Sequence, residues 1–165
     1  MILIYMTNLE PIHAIAVFIS GKIRGTVQFI EDGESVKIIV DIAGLKKNKK
    51  QGFHIHRYGD LSDGCESMCE HFNPYGKKHG GPNSNTRHIG DLGNLIADQN
   101  GIAKYSFYDS HIKLRGTKAN IIGRGLIIHA DEDDLGEGGN ESSEKTGNAG
   151  KRLTCAVIGY AKPPI

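Results

Sequence analysis

The sequence predicts an all-β domain, an antiparallel sandwich or barrel of eight short strands interrupted by two long loops. Three observations lead there. Apolar and polar residues alternate over short stretches separated by turn residues. No stretch keeps a 3.6-residue apolar period over a dozen positions. The chain also holds 22 glycines against five phenylalanines, six tyrosines and no tryptophan, a turn-rich composition. At 165 residues it is one domain by size and long enough to bury a core.

Ala14 to Ile19 and Ile23 to Ile30 flank Ser20-Gly21 and read as a hairpin. Val36 to Ile42 follows the turn at Asp32-Gly33. Further strands are expected at Gly52 to Tyr58, Leu92 to Ala97, Ile102 to Tyr108, Gly125 to His129 and Thr154 to Ala161. Asn100-Gly101 is a hairpin signal between two of them. The basic run Lys46-Lys47-Asn48-Lys49-Lys50, just after Gly44-Leu45, reads as a solvated loop. Residues 60–90 and 130–151 are polar, rich in glycine and asparagine, and aperiodic. Loops of that length in a compact domain serve a function or stay disordered, and the histidines within the first favour function.

A net charge of +1 gives no reason to invoke nucleic acid or an anionic membrane surface. No apolar run approaches the ~18 residues of a membrane span. The opening Met1 to Met6 is apolar but lacks the basic start and cleavage site of a secretory signal. A cytoplasmic location is therefore expected, where thiols stay reduced. Cys65, Cys69 and Cys155 leave at least one thiol unpaired.

The histidines carry the chemistry. His54 and His56 stand two apart in a predicted strand, so both rings leave the same face and can reach one ion. His71, His79, His88 and Asp91 follow at separations of 8, 9 and 3 in the glycine-rich first loop. Three imidazoles and a carboxylate complete a tetrahedral zinc set with no open position, which suits a structural ion. His54, His56 and His129 remain, an all-imidazole trio suited to a redox-active ion such as copper.

From about Ile12 to Ala161 the chain resembles the copper/zinc superoxide dismutases. The resemblance rests on Gly-Phe-His-Ile-His (52–56), His-Phe-Asn-Pro (71–74), Lys-His-Gly-Gly-Pro (78–82) and Arg-His-Ile-Gly-Asp-Leu-Gly-Asn (87–94). It continues through Ile-Ile-Gly-Arg (121–124), Asp-Asp-Leu-Gly (133–136), Gly-Gly-Asn-Glu (138–141) and Lys-Thr-Gly-Asn-Ala-Gly-Lys-Arg-Leu-Thr-Cys (145–155). It implies an eight-stranded Greek-key, immunoglobulin-like sandwich over residues 12–165, preceded by an N-terminal extension over 1–11.

The resemblance also implies one copper and one zinc per chain. Copper would be held by His54, His56, His71 and His129, and zinc by His71, His79, His88 and Asp91, with His71 bridging the two. Asp133 would link His54 to His79 behind the metals, and Arg152 would hold the superoxide anion beside copper. Cys65 and Cys155 would form a disulfide, worth roughly 4 to 5 kcal/mol at most by chain entropy. Cys69 is an extra thiol. The implied reaction is disproportionation of superoxide to oxygen and hydrogen peroxide, copper being reduced and reoxidised in turn while His71 takes up and returns a proton.

A homodimer is expected through an apolar patch near Gly59, Ile122, Gly123, Ile158 and Tyr160, and a copper-delivery chaperone is a candidate partner. Arg57, Glu137 and Ser142 depart from the family pattern around the channel, yet Lys145 and Arg152 are expected to draw the anion in. The rival readings are a copper-delivery or metal-storage protein with the same fold, and a zinc hydrolase. No Cys-x-x-Cys or Cys-x-Cys pair is present for metal exchange, and no general base is evident for hydrolysis.

Overall fold

A computed structural model describes residues 9–19 and 21–164. Residues 1–8 of the expected extension and Ser20 of the first turn lie outside the described residues. The strands are β1 (His13–Phe18), β2 (Arg24–Asp32), β3 (Ser35–Ala43), β4 (Lys50–His56), β5 (Asp91–Ile96), β6 (Ile102–Asp109), β7 (Gly125–His129), β8 (Arg152–Val157) and β9 (Gly159–Tyr160). They form two antiparallel sheets, ordered β6-β3-β2-β1-β9 and β5-β4-β7-β8.

Between the sheets lies one core, in which Val27, Phe29, Ile38 and Val40 of the larger sheet face Phe53, Ile55, Leu126 and Ile128 of the smaller. Alternation along β2 and β3 explains the sandwich: Val27 and Phe29 of β2 and every second residue of β3 are buried, while their neighbours are partly or fully exposed. The two central strands of the smaller sheet break that rule. In β4 everything from Gln51 to His56 is buried, and in β7 every residue is. Phe53 and Ile55 fill the core, so the opposite face, with His54 and His56, must be covered by something else. The two long loops cover it.

The expected strands are present, with three differences. Thr154 to Ala161 divides at the buried Ile158 into β8 and β9, which belong to different sheets and tie them together along one edge. The Asn100-Gly101 turn forms, with Asp98 accepting from the amides of Asn100 and Ile102 at 2.8 and 2.9 Å. The strands it joins then part: β5 pairs with β4 and β6 with β3, so the turn crosses between sheets. Finally, the loop over 130–151 contains a helix, α1 (Glu141–Thr146), capped by Asn140 and ended by the left-handed Gly147. Cys65 and Cys155 are joined as expected, 90 positions apart, fastening the first loop to β8.

Candidate metal centre

Two strand irregularities aim the site. The β4–β5 register shifts between Gly52 and His54, which sets Asp91 opposite His54. The β7–β8 register shifts at His129, which makes Arg152 its cross-strand partner. Bulges of this kind redirect side chains next to functional sites. Residues 70–72 run beside the end of β4, where Phe72 donates to Ile55 at 2.8 Å and His71 bridges to His56. Gly52 is needed where the second loop crosses the sheet, because a Cβ there would stand 2.6 Å from that of Ala149.

The result is two sets of ligand atoms sharing one ring. His54, His56, His71 and His129 converge, as do His71, His79, His88 and Asp91, with the candidate atoms of each set within 4.8 Å of one another and every residue buried. His71 Nδ1 and His88 Nδ1 lie 2.9 and 3.1 Å from Asp91 Oδ1, and His79 Nδ1 lies 3.0 Å from Asp91 Oδ2. The Nδ1 edge of His71 therefore faces the second set, leaving Nε2 for the first.

The hydrogen bonds behind the rings show why cations fit. His56 Nδ1 is set 2.7 Å from the Cys69 carbonyl and His129 Nδ1 3.2 Å from that of Gly150. A carbonyl only accepts, so each ring carries its proton on Nδ1 and points a lone pair from Nε2. Those two Nε2 atoms face each other at 3.4 Å. Asp133 takes Nε2 of both His54 and His79, at 2.7 and 2.8 Å, which leaves Nδ1 of His54 buried without a hydrogen-bond partner and turns that of His79 toward Asp91 alone. Buried lone pairs that converge without donors are what a metal ion satisfies.

Electrostatics agree for the first set. Burial lowers the basicity of His54 to about 3 and of His129 to about 4, and neighbouring imidazoles push the same way. These rings stay neutral, the form that binds metal. His79 moves oppositely. Burial disfavours its charge, but the Asp133 and Asp91 carboxylates outweigh that and hold it at about 9. Asp91 is held well below the usual carboxylate range, since its three histidine partners overcome the burial that opposes ionisation.

A cavity of about 1080 Å³ opens on this centre, lined by the buried His56, His71 and His129, by Arg152, and by exposed Lys77, Lys78, Glu141, Glu144 and Lys145. Arg152 is held from behind, donating to the carbonyls of Cys65 and Cys69 at 2.6 Å each. The disulfide at Cys65 thus fixes the segment that orients the guanidinium. Lys145 and Lys78 pair with Glu141 and Glu144 at 2.6 and 2.8 Å, and Arg57 pairs with Glu70 at 2.8 Å. Glu137 is exposed, while Ser142 lies on the cavity wall. Cys69 keeps a free thiol, and its backbone has a positive φ of 60° with ψ −145°.

Several supports carried no recognisable signal in the sequence. Asn94 pins Asp133 from both sides, its amide oxygen accepting from the Asp133 amide at 2.8 Å and its nitrogen donating to the Asp133 carbonyl at 2.9 Å. Arg87 forms a buried pair with Asp109 at 2.7 Å and also donates to the carbonyls of Pro82, His88 and Ile89, bracing the loop that holds His88. A Cβ at Gly147 would overlap the Asp133 carboxylate, so the glycine that ends α1 also makes room for the bridge to His79.

The chain is similar to known proteins in sequence and in fold. The family model for copper/zinc superoxide dismutase matches residues 23–158. A "Superoxide dismutase [Cu-Zn]" of Paramecium bursaria Chlorella virus 1 is 66% identical over 153 residues, spanning 93% of this chain and 81% of that protein. One from Cordyceps militaris is 51% identical over 143 residues, 86% of this chain and 92% of the other. Among solved structures, that of the clock protein EA4 superposes with a TM-score of 0.88 at 42% identity, covering 96% of this chain and 100% of that one. With two metal-ready sets meeting at one histidine and a family match across most of its length, the chain belongs to the copper/zinc superoxide dismutases and is an oxidoreductase acting on superoxide.

Proposed function

We propose that His54, His56, His71 and His129 hold copper and that His71, His79, His88 and Asp91 hold zinc, His71 being shared. The observation that carries this reading is the convergence of both sets on opposite edges of one buried imidazole. Copper, when bound, supplies one-electron chemistry, so that two superoxide anions and two protons become oxygen and hydrogen peroxide. Everything else falls to the protein. Arg152 attracts and orients each anion through the guanidinium that its carbonyl contacts leave facing the cavity. Nε2 of His71 would carry a proton only in the half of the cycle in which it is not a ligand, taking it from solvent and delivering it to the second anion, with the other proton also drawn from solvent, while its Nδ1 edge stays engaged. Asp133 keeps His54 and His79 in the tautomer that directs Nδ1 inward.

The chain functions as a cytoplasmic homodimer that receives copper from a delivery chaperone. Among the described residues no helix is long and apolar enough to cross a membrane. Exposed Val17, Leu153 and Tyr160 on adjoining β1, β8 and β9 supply apolar surface for self-association, whereas Ile158 is wholly buried in its own chain and cannot. Light scattering at micromolar protein tests the dimer, and a monomer mass rejects it. Metal analysis of protein produced with both metals, joined to a superoxide-consumption assay, tests the whole reading. About one copper and one zinc per chain is expected, with activity lost on removing copper. Zinc alone, with no dismutation after copper is added, would favour storage or hydrolysis instead.

A further inference from the structure

One buried polar side chain in β4 is not explained by the reaction. By alternation Gln51 shares the face of Phe53 and Ile55, where an amide amid apolar side chains needs partners for both ends. It is 1% exposed and has both. Its Oε1 accepts from the Lys46 amide at 2.7 Å, and its Nε2 donates to the His129 carbonyl at 2.8 Å. The next two carbonyls are capped from the same segment, that of Ala130 by Lys46 Nζ and that of Asp131 by the Gly52 amide at 2.8 Å. Lys46 also reaches the Asp131 carboxylate at 3.3 Å, and Lys50 pairs with Glu132 at 2.8 Å. The basic run read from the sequence as a solvated loop is thus fastened, at two of its lysines, to the chain that follows His129.

We propose that Gln51, seconded by Lys46, is a positioning residue for copper, fixing the backbone of His129 so that its Nε2 meets the ion alongside those of His56 and His71. The inference rests on the ligand assignment above. It differs from a generic tether in one respect. Each of the three carbonyls from His129 to Asp131 is held by the segment 46–52, which also leads into His54 and His56. Loosening the clamp therefore moves one copper ligand relative to two others and leaves the zinc set alone.

The test uses full-length protein reconstituted with copper and zinc, comparing Gln51→Leu, Gln51→Glu and Lys46→Met with the parent. Gln51→Glu keeps the acceptor for Lys46 but turns the donor facing His129 into a second acceptor. Readouts are the copper(II) electron paramagnetic resonance spectrum, copper affinity by chelator competition, zinc content and melting temperature. Both Gln51 variants are expected to shift the copper spectrum and weaken copper binding about tenfold or more, at parental zinc content. Lys46→Met, at an exposed side chain, is expected to move the spectrum the same way by less. Should Gln51→Leu fail to fold, Gln51→Glu and Lys46→Met decide. A parental copper spectrum and affinity in the folded variants overturns the proposal, even where the melting temperature falls, because that is the mark of a purely structural link. His129→Ala serves as the reference: if it too leaves the copper spectrum unchanged, the ligand assignment fails, and the proposal fails with it.

Discussion

Replacing Asp133 by asparagine tests the wiring behind both metals at once. The carboxylate is buried and accepts from two imidazoles at 2.7 and 2.8 Å, and from the Leu135 amide at 2.7 Å. An asparagine in the same place has one carbonyl oxygen and one NH2 group. It can accept from one ring, but it presents a donor to the other. That ring must then drop its proton from Nε2 and place it on Nδ1, the atom that faces the metal. One charge-assisted hydrogen bond lost corresponds to about 1.5–3 kcal/mol, or roughly 10- to 100-fold in affinity for the ion concerned. His54 should suffer more than His79, because the Leu135 amide and His79 Nε2 share Oδ1; the asparagine oxygen satisfies both donors there, and its NH2 group takes the Oδ2 place against His54. Copper retention is therefore expected to fall first, measured by dialysing the loaded variant against graded chelator and counting both metals. A variant that keeps copper with parental affinity would refute the argument, since no other group reaches His54 Nε2 among the described residues.

Other consequences can be checked separately. Cys155→Ser, or reduction of the parent, is expected to lower stability by up to roughly 4 to 5 kcal/mol. Activity per bound copper should fall as well, because the carbonyls that aim Arg152 lose their anchor; calorimetry and assay of the reduced protein should move together. Arg152→Met should reduce kcat/KM about tenfold or more, the loss of one charged hydrogen bond, and flatten the decline of rate with added salt. A parental rate already insensitive to ionic strength would contradict electrostatic guidance. In the metal-free protein, His54 and His129 have folded values below the unfolded value of 6.5. Each therefore contributes stability that is complete above pH 6.5 and lost on acidification, about 2 kcal/mol by pH 5. His79, raised to about 9, acts in the opposite sense, contributing fully below 6.5 and losing its share as pH rises to 9. Metal-free stability is thus expected to peak near pH 6.5 in denaturant titrations. Monotonic behaviour from pH 5 to 9 would show that these burial and pairing effects are misjudged.

What could be read from the residues was whatever repeats or clusters locally. Period-two alternation exposed β2 and β3, and the two-apart histidines of β4 disclosed a shared face before any fold was known. Spacing alone separated the three-histidine, one-aspartate set from the remaining trio. The missing parts depend on partners far along the chain. Six residues of α1 are too few to carry a helical period, and what stabilises the helix is a cap at Asn140 and the buried Ser143 hydroxyl bonded to Asp134 at 2.7 Å. Nothing in Thr154 to Ala161 marks Ile158 as the residue where the strand changes sheets, because both halves alternate equally well. Gln51 and Asn94 look like ordinary strand amides until their carbonyl partners, 78 and 39 positions away, are known. Lys46 and Lys50 look solvated for the same reason, their acidic partners lying more than eighty positions on.

A crystal of the copper- and zinc-loaded protein, with anomalous scattering recorded at both absorption edges, would interrogate the shared imidazole itself. Copper density is expected at Nδ1 of His54 and Nε2 of His56, His71 and His129, and zinc density at Nδ1 of His71, His79 and His88 beside Asp91. Exchanged identities, or a His71 ring that meets just one of the two ions, would contradict the account.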